Sequence, residues 1–128
     1  MAIKRPADID HAFVRSKEKG FGGLLQFVGL GRYRTRIIDL AATNRVPAVY
    51  TRGQWVNAGG LVSYGSSWPD LHRRAAIYVD KILRGANPAD LPVEQPQKFE
   101  LIINLQTAKR RGIKIPSSIL YRADKVIQ

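Results

Sequence analysis

The sequence predicts an α/β fold in three layers, a mainly parallel sheet flanked by helices. Three observations carry this. Apolar runs of strand length alternate with segments whose apolar residues recur at helical spacing. Glycines stand where those segments meet, as turn and helix-stop residues do. The composition, 45% hydrophobic and 24% charged over 128 residues, is that of one ordinary globular domain with a core of its own.

The first helix spans 7–19. Pro6 suits its first turn, Asp8 and Asp10 favour its positive end, and Gly20 stops it. Ile9, Ala12 and Phe13 form its apolar face. The run 22–28, closed by Gly29 and Gly31, reads as a buried strand. A helix over 32–44 turns Ile37, Ile38, Leu40 and Ala41 inward and its arginines outward, and 47–50 is the next strand. One short helical turn, 54–58, ends at Gly59-Gly60, and 61–64 is a third strand. The clearest helix covers 69–84, with Leu71, Ala75, Tyr78, Val79, Ile82 and Leu83 spaced by threes and fours and Gly85 as its stop. Pro88, Pro92 and Pro96 make 87–97 an extended connector. A fourth strand, 99–104, leads to a short helix at 106–111 before Gly112, and Pro116 opens a last helix running towards Val126.

The 21 Lys and Arg against 10 Asp and Glu give a net charge of +11, which brings nucleic acid into view. The cations are scattered, as Lys4-Arg5, Arg32/Arg34/Arg36, Arg73-Arg74 and Lys109-Arg110-Arg111, so the field is diffuse and nucleic-acid binding stands second. The absence of cysteine excludes disulfide and thiol chemistry. The start, Met1 to Pro6, runs into Asp8, Asp10 and His11 rather than an apolar stretch, so as encoded the chain is expected in the cytoplasm.

Catalytic chemistry finds little to work with. His11 and His72 each sit among charged residues on a helix, and no set of Cys, His or carboxylates has metal-ligand spacing. None of Ser63, Ser66, Ser67, Ser117 or Ser118 lies in a G-x-S-x-G turn. Gly29-Leu30-Gly31 lacks the third glycine of a dinucleotide loop, since position 34 is Arg. Tyr33 among Arg32, Arg34 and Arg36 is a solvated outer face. The expectation is a protein that is not an enzyme and uses no cofactor or metal.

From Pro47 onward the chain resembles the ABC-transporter substrate-binding family of the type I periplasmic-binding fold. The resemblance rests on Val46-Pro47-Ala48-Val49-Tyr50, on Val56-Asn57-Ala58-Gly59-Gly60-Leu61-Val62-Ser63-Tyr64-Gly65, and on Asp70-Leu71-His72-Arg73-Arg74. It continues through Val79-Asp80-Lys81-Ile82-Leu83-Arg84-Gly85, the proline-rich stretch to Pro96, and Phe99-Glu100-Leu101-Ile102-Ile103-Asn104. The front matches less closely, and Gly29-Leu30-Gly31 stands where the family carries a proline-containing cleft loop.

What the resemblance implies is a two-lobed protein, periplasmic at full length, that grips a small, amino-acid-like solute between its lobes and presents it to an ABC permease. Residues 1–128 correspond to a truncated second lobe, with the helix at 69–84 packing in the full family on a first lobe outside this sequence. Tyr50, Arg52, Ser63, Tyr64 and Ser66 are the positions expected to face the ligand, the tyrosines by stacking and Arg52 by pairing with a carboxylate. With one side of the cleft missing, tight binding is not expected. The unpartnered stripe on 69–84 leads to an expectation of a homodimer.

Overall fold

The computed structural model describes residues 5–27 and 29–128; Val28, the last residue of the first expected strand, lies outside the described residues, as do Met1 to Lys4. In chain order the elements are α1 (Pro6–Glu18), β1 (Leu24–Gln26), α2 (Arg34–Thr43), β2 (Ala48–Tyr50), α3 (Gly53–Asn57), β3 (Val62–Ser66), α4 (Trp68–Leu83), β4 (Phe99–Asn104), α5 (Leu105–Arg110), α6 (Ser117–Tyr121) and β5 (Lys125–Ile127). The strands form one five-stranded sheet in the order β1-β2-β3-β4-β5. It is parallel throughout except at β3–β4, which run antiparallel. This is the α/β class expected, a mostly parallel sheet flanked by helices.

Local chemistry explains the helices. Pro6 occupies the first turn of α1, and the Asp8 carboxylate accepts a 2.8 Å hydrogen bond from the Arg5 backbone N–H, satisfying a donor the helix cannot. Asn104 ends β4 and caps α5 with its side-chain oxygen, which accepts from the Thr107 N–H at 2.9 Å. Its amide nitrogen donates to the Val56 carbonyl at 3.2 Å, so one side chain ties the start of α5 to α3.

The core lies on one face of the sheet. Ile9 and Phe13 of α1, Ile37, Ile38 and Ala41 of α2, and Trp55 of α3 close over Ala48 and Tyr50 of β2. Each fully buried large side chain contributes roughly 1.5–3 kcal/mol, so this cluster is the main stabilising unit. Two glycines are required by close approach: a Cβ at Gly65 would strike the Thr51 carbonyl, and one at Gly60 would lie 2.6 Å from the Tyr50 ring.

The opposite face is open beside β1, β2 and β3. Leu25, Val49 and Val62 share a register row on it, and Leu25 and Val49 are exposed. Parallel sheets are normally covered on both faces, so this openness stands out.

Helix α4 has no buried residue. It leaves the sheet at Ser67, whose N–H donates to the Lys98 carbonyl, and the connector folds back along it. The Tyr78 hydroxyl donates to the Pro92 carbonyl at 2.6 Å, and Arg74 reaches Glu94 and Gln97, both at 2.7 Å. Leu71, Tyr78 and Leu91 are thereby half-covered, while Val79, Ile82 and Leu83 stay exposed. The arm made of α4 and the connector thus packs on itself, and the helix does not fold back over its own sheet.

Two sequence expectations need correction. The last helix ends at Tyr121, and Lys125–Ile127 is instead a strand paired with Ile102–Asn104. Asp124 starts it by bonding both ways to Leu101, N–H to carbonyl at 2.9 Å and carboxylate to N–H at 2.8 Å. Three residues are too few to show a strand period. The connector also contains a 3-10 turn at Pro88–Asp90, nucleated by the Asn87 side chain accepting from the Ala89 N–H.

Candidate functional site

Because β1, β2 and β3 run parallel, their carboxyl ends open on the same edge of the sheet, and the segments leaving them converge there. In open α/β sheets this is where ligands sit. Two hollows lie at this edge. The larger, about 420 Å³, is lined by Thr51, Arg52, Gln54 and Asn57 from the β2–α3 segment, by Ser66, Trp68 and His72 from the β3–α4 junction, and by Glu100. The smaller, about 290 Å³, lies between Gln26-Phe27 and Trp55. Thr51, Arg52 and Gln54 form the ridge between them and line both.

Arg52 is the centre of this arrangement. Its guanidinium carbon stands 4.0 Å from the centroid of the Trp68 ring, a cation–π contact that holds the planar fork without neutralising it. Among the described residues no carboxylate pairs with it. The His72 ring meets the same indole in an edge arrangement, centroids 5.7 Å apart. Glu100, which lines the same hollow, accepts a 2.6 Å hydrogen bond from the buried Ser67 hydroxyl. In the smaller hollow the Gln26 amide is 5% exposed and its Oε1 has no partner, which leaves a buried acceptor for an incoming donor.

The five positions expected to face a ligand divide. Arg52 and Ser66 stand together in the larger hollow. Tyr64 is 57% exposed but lies on the open sheet face, stacked on Phe99 at 5.8 Å and lining a groove that also includes Arg52 and Ser66. Tyr50 and Ser63 are register partners on the helix-covered face, 0% and 2% exposed. Tyr50 stacks on Trp55 at 5.0 Å, and burial pushes its phenol up to about 12 against the weaker opposing pull of Arg111. It is a core ring rather than a cleft ring. Trp68, Gln54, Glu100 and Gln26 line these hollows although the sequence did not single them out, and His72, set aside there as a charged-surface histidine, joins them. The clue for Trp68 was its place, an aromatic directly before the proline that opens α4.

No group of three or more metal-ligating side chains occurs among the described residues, and no described helix is long and apolar enough to cross a membrane.

A mostly parallel sheet with an arginine and an indole beyond its carboxyl ends is the architecture of an open α/β domain. The chain belongs to the family described as ABC transporter substrate binding protein, whose profile matches residues 3–127. Solved structures share the fold. A conserved domain protein from Vibrio cholerae shares 27% identity, with a TM-score of 0.81 over 94% of this chain and 41% of that one. An ABC domain from Streptococcus pneumonia in complex with L-Trp is 24% identical, with a TM-score of 0.82 over 93% and 41%. A ligand-free, open substrate binding protein with adhesive properties from Clostridium difficile is 18% identical, with a TM-score of 0.64 over 100% and 43%. The chain therefore spans about two fifths of the length of these structures. No curated protein matches it.

Proposed function

We propose that this chain supplies one wall of a small-solute cleft serving an ABC uptake system, and that Arg52 reads an anionic group on the solute. The observation that carries this is the Arg52 guanidinium, held on Trp68 at the carboxyl edge of the sheet with no acidic partner among the described residues. A carboxylate is the natural complement of an unpaired guanidinium fork. Trp68 adds an apolar face beside it. The Streptococcus pneumonia domain was solved with L-Trp, which makes an amino-acid-like solute the first to try. The role is binding and delivery rather than catalysis, with a permease as the eventual partner of the whole assembly.

These 128 residues correspond to 41% of the solved relatives, so the second wall comes from elsewhere and the affinity of this wall alone is weak, about 1 mM (~4 kcal/mol) or poorer. Titration with L-Trp and with tryptamine, which lacks the carboxylate, tests the reading. L-Trp should bind at least tenfold more tightly, and Arg52→Met, which keeps the apolar stem, should remove the difference. Equal binding of the two compounds by the unaltered chain contradicts it.

The alternative, a basic nucleic-acid-binding module, is supported by the net charge of +11 alone. Arg5, Arg36, Arg73, Arg74 and Arg84 are already in ion pairs with carboxylates. Binding to DNA or RNA that falls steeply with salt, in the absence of any carboxylate preference, would favour it.

A further inference from the structure

The ridge Thr51-Arg52-Gln54 borders both hollows at the carboxyl edge, so a group that pairs with Arg52 lies beside the smaller hollow as well as the larger. The ridge is rich in donors. A guanidinium has no acceptor atom, and the Gln54 Oε1 already accepts from the Arg34 guanidinium at 3.4 Å, which leaves the amide nitrogen as the free end of Gln54. Gln26, at the end of β1, is of the opposite kind. It lines the smaller hollow, is only 5% exposed, and its Oε1 has no hydrogen-bond partner. A buried amide oxygen left unpaired is destabilising, and an apolar side chain of similar size would relieve that cost.

We infer that Gln26 is a specificity residue of this site, accepting a hydrogen bond from an N–H group of the solute that enters the smaller hollow while the anionic group of the same solute meets Arg52. This rests on the cleft-wall reading of Arg52. A solute bearing only an anion satisfies the ridge and leaves the Gln26 oxygen bare, and an apolar group in the hollow does the same. A second anion there faces that oxygen without a proton to share. An N–H donor close to an anion suits both hollows, so the ligand class is a zwitterion or an acid with an adjacent N–H. The last torsion of a glutamine is broad, so the amide turns its oxygen to the hollow without leaving its place. Room exists for such a group: the hollow holds about 290 Å³, and a Cβ at Gly29 or Gly31 in its wall would meet nothing within 4 Å. Its recess also selects the partner. At 5% exposure Gln26 is out of reach of a protein surface laid across the edge, and open to a small group entering beside Arg52.

The test is titration of the 128-residue chain with L-Trp, with indole-3-propionate, which lacks the amino group, and with tryptamine, which lacks the carboxylate. A site built to pair with an N–H rejects the analogue without it, so L-Trp should bind at least about tenfold more tightly than indole-3-propionate. Gln26→Met, which keeps the length of the side chain, should bring that ratio below about twofold and leave the preference for L-Trp over tryptamine in place. Equal binding of L-Trp and indole-3-propionate by the unaltered chain overturns the inference and leaves Arg52 in its role. Equal binding of L-Trp and tryptamine contradicts the Arg52 reading instead, so the two failures are told apart. Melting without ligand separates a binding role from a structural one. Gln26→Met should unfold at the same temperature as the unaltered chain or higher, because it removes an amide oxygen that has no partner. A lower melting temperature would mean that the amide is held within the fold, and it too overturns the inference.

Discussion

Replacing Tyr50 with Phe removes one oxygen and changes no packing volume of consequence. That oxygen is buried, has no hydrogen-bond partner, and sits on a ring that is 0% exposed against Trp55. A buried hydroxyl without a partner costs about 1–3 kcal/mol of desolvation. Tyr50→Phe should therefore raise unfolding stability at pH 7, by about 1 kcal/mol. The phenol adds a pH dependence. Its ordinary value is 10.0 and burial lifts it to about 12, so the folded state holds the proton more tightly than the unfolded state does. Its contribution is complete below pH 10 and is lost as pH climbs from 10 to 12, a fall of roughly 2–3 kcal/mol at 1.4 kcal/mol per unit. Urea unfolding from pH 8 to 12 should show wild type losing stability more steeply than Tyr50→Phe above pH 10. A variant that is destabilised at pH 7, or that falls in parallel with wild type through pH 12, refutes the placement of Tyr50 as an unsatisfied core residue.

Other substitutions probe separate parts of the structure. Gly65→Ala should cost about 1–3 kcal/mol in denaturant melts, because its Cβ would meet the Thr51 backbone, which a side-chain rotation cannot relieve. Asn104→Ala loses the cap of α5 and one of the two donors to the Val56 carbonyl, which keeps the Gly59 N–H, an expected loss of about 1–2 kcal/mol by the same melts. Trp55→Ala should cost about 3–5 kcal/mol by opening the core over β2. Arg36→Ala, which breaks the exposed 2.6 Å pair with Asp10, should change stability by less than about 1 kcal/mol.

How much was legible follows from what each residue's neighbours are. Elements whose period is local could be read directly. The spacing of Ile37, Ile38 and Ala41 states which side of α2 is inward, and the prolines of the connector forbid a helix beyond one turn. The arm was legible for a similar reason, since its stripe is written in α4 alone. Which face of a strand is covered is not local. Tyr50 ends β2 and Tyr64 lies midway along β3, but Tyr50 points beneath α2 and α3 while Tyr64 points to the open side. That difference is set by residues far along the chain. Glu100 was invisible as a site residue because β3–β4 pairing brings position 100 opposite Gly65 only in the folded sheet. The strand at Lys125–Ile127 is made by pairing with Ile102–Asn104 and has almost no signal of its own.

Backbone amide mapping on the 128-residue chain during titration with L-Trp bears most directly on the proposed cleft wall. Shifts that saturate together and gather on Thr51, Arg52, Gln54, Ser66 and Trp68, and that vanish in Arg52→Met, are the predicted result. Shifts centred on the connector or on α1, with the carboxyl edge of β2 and β3 unmoved, would contradict it.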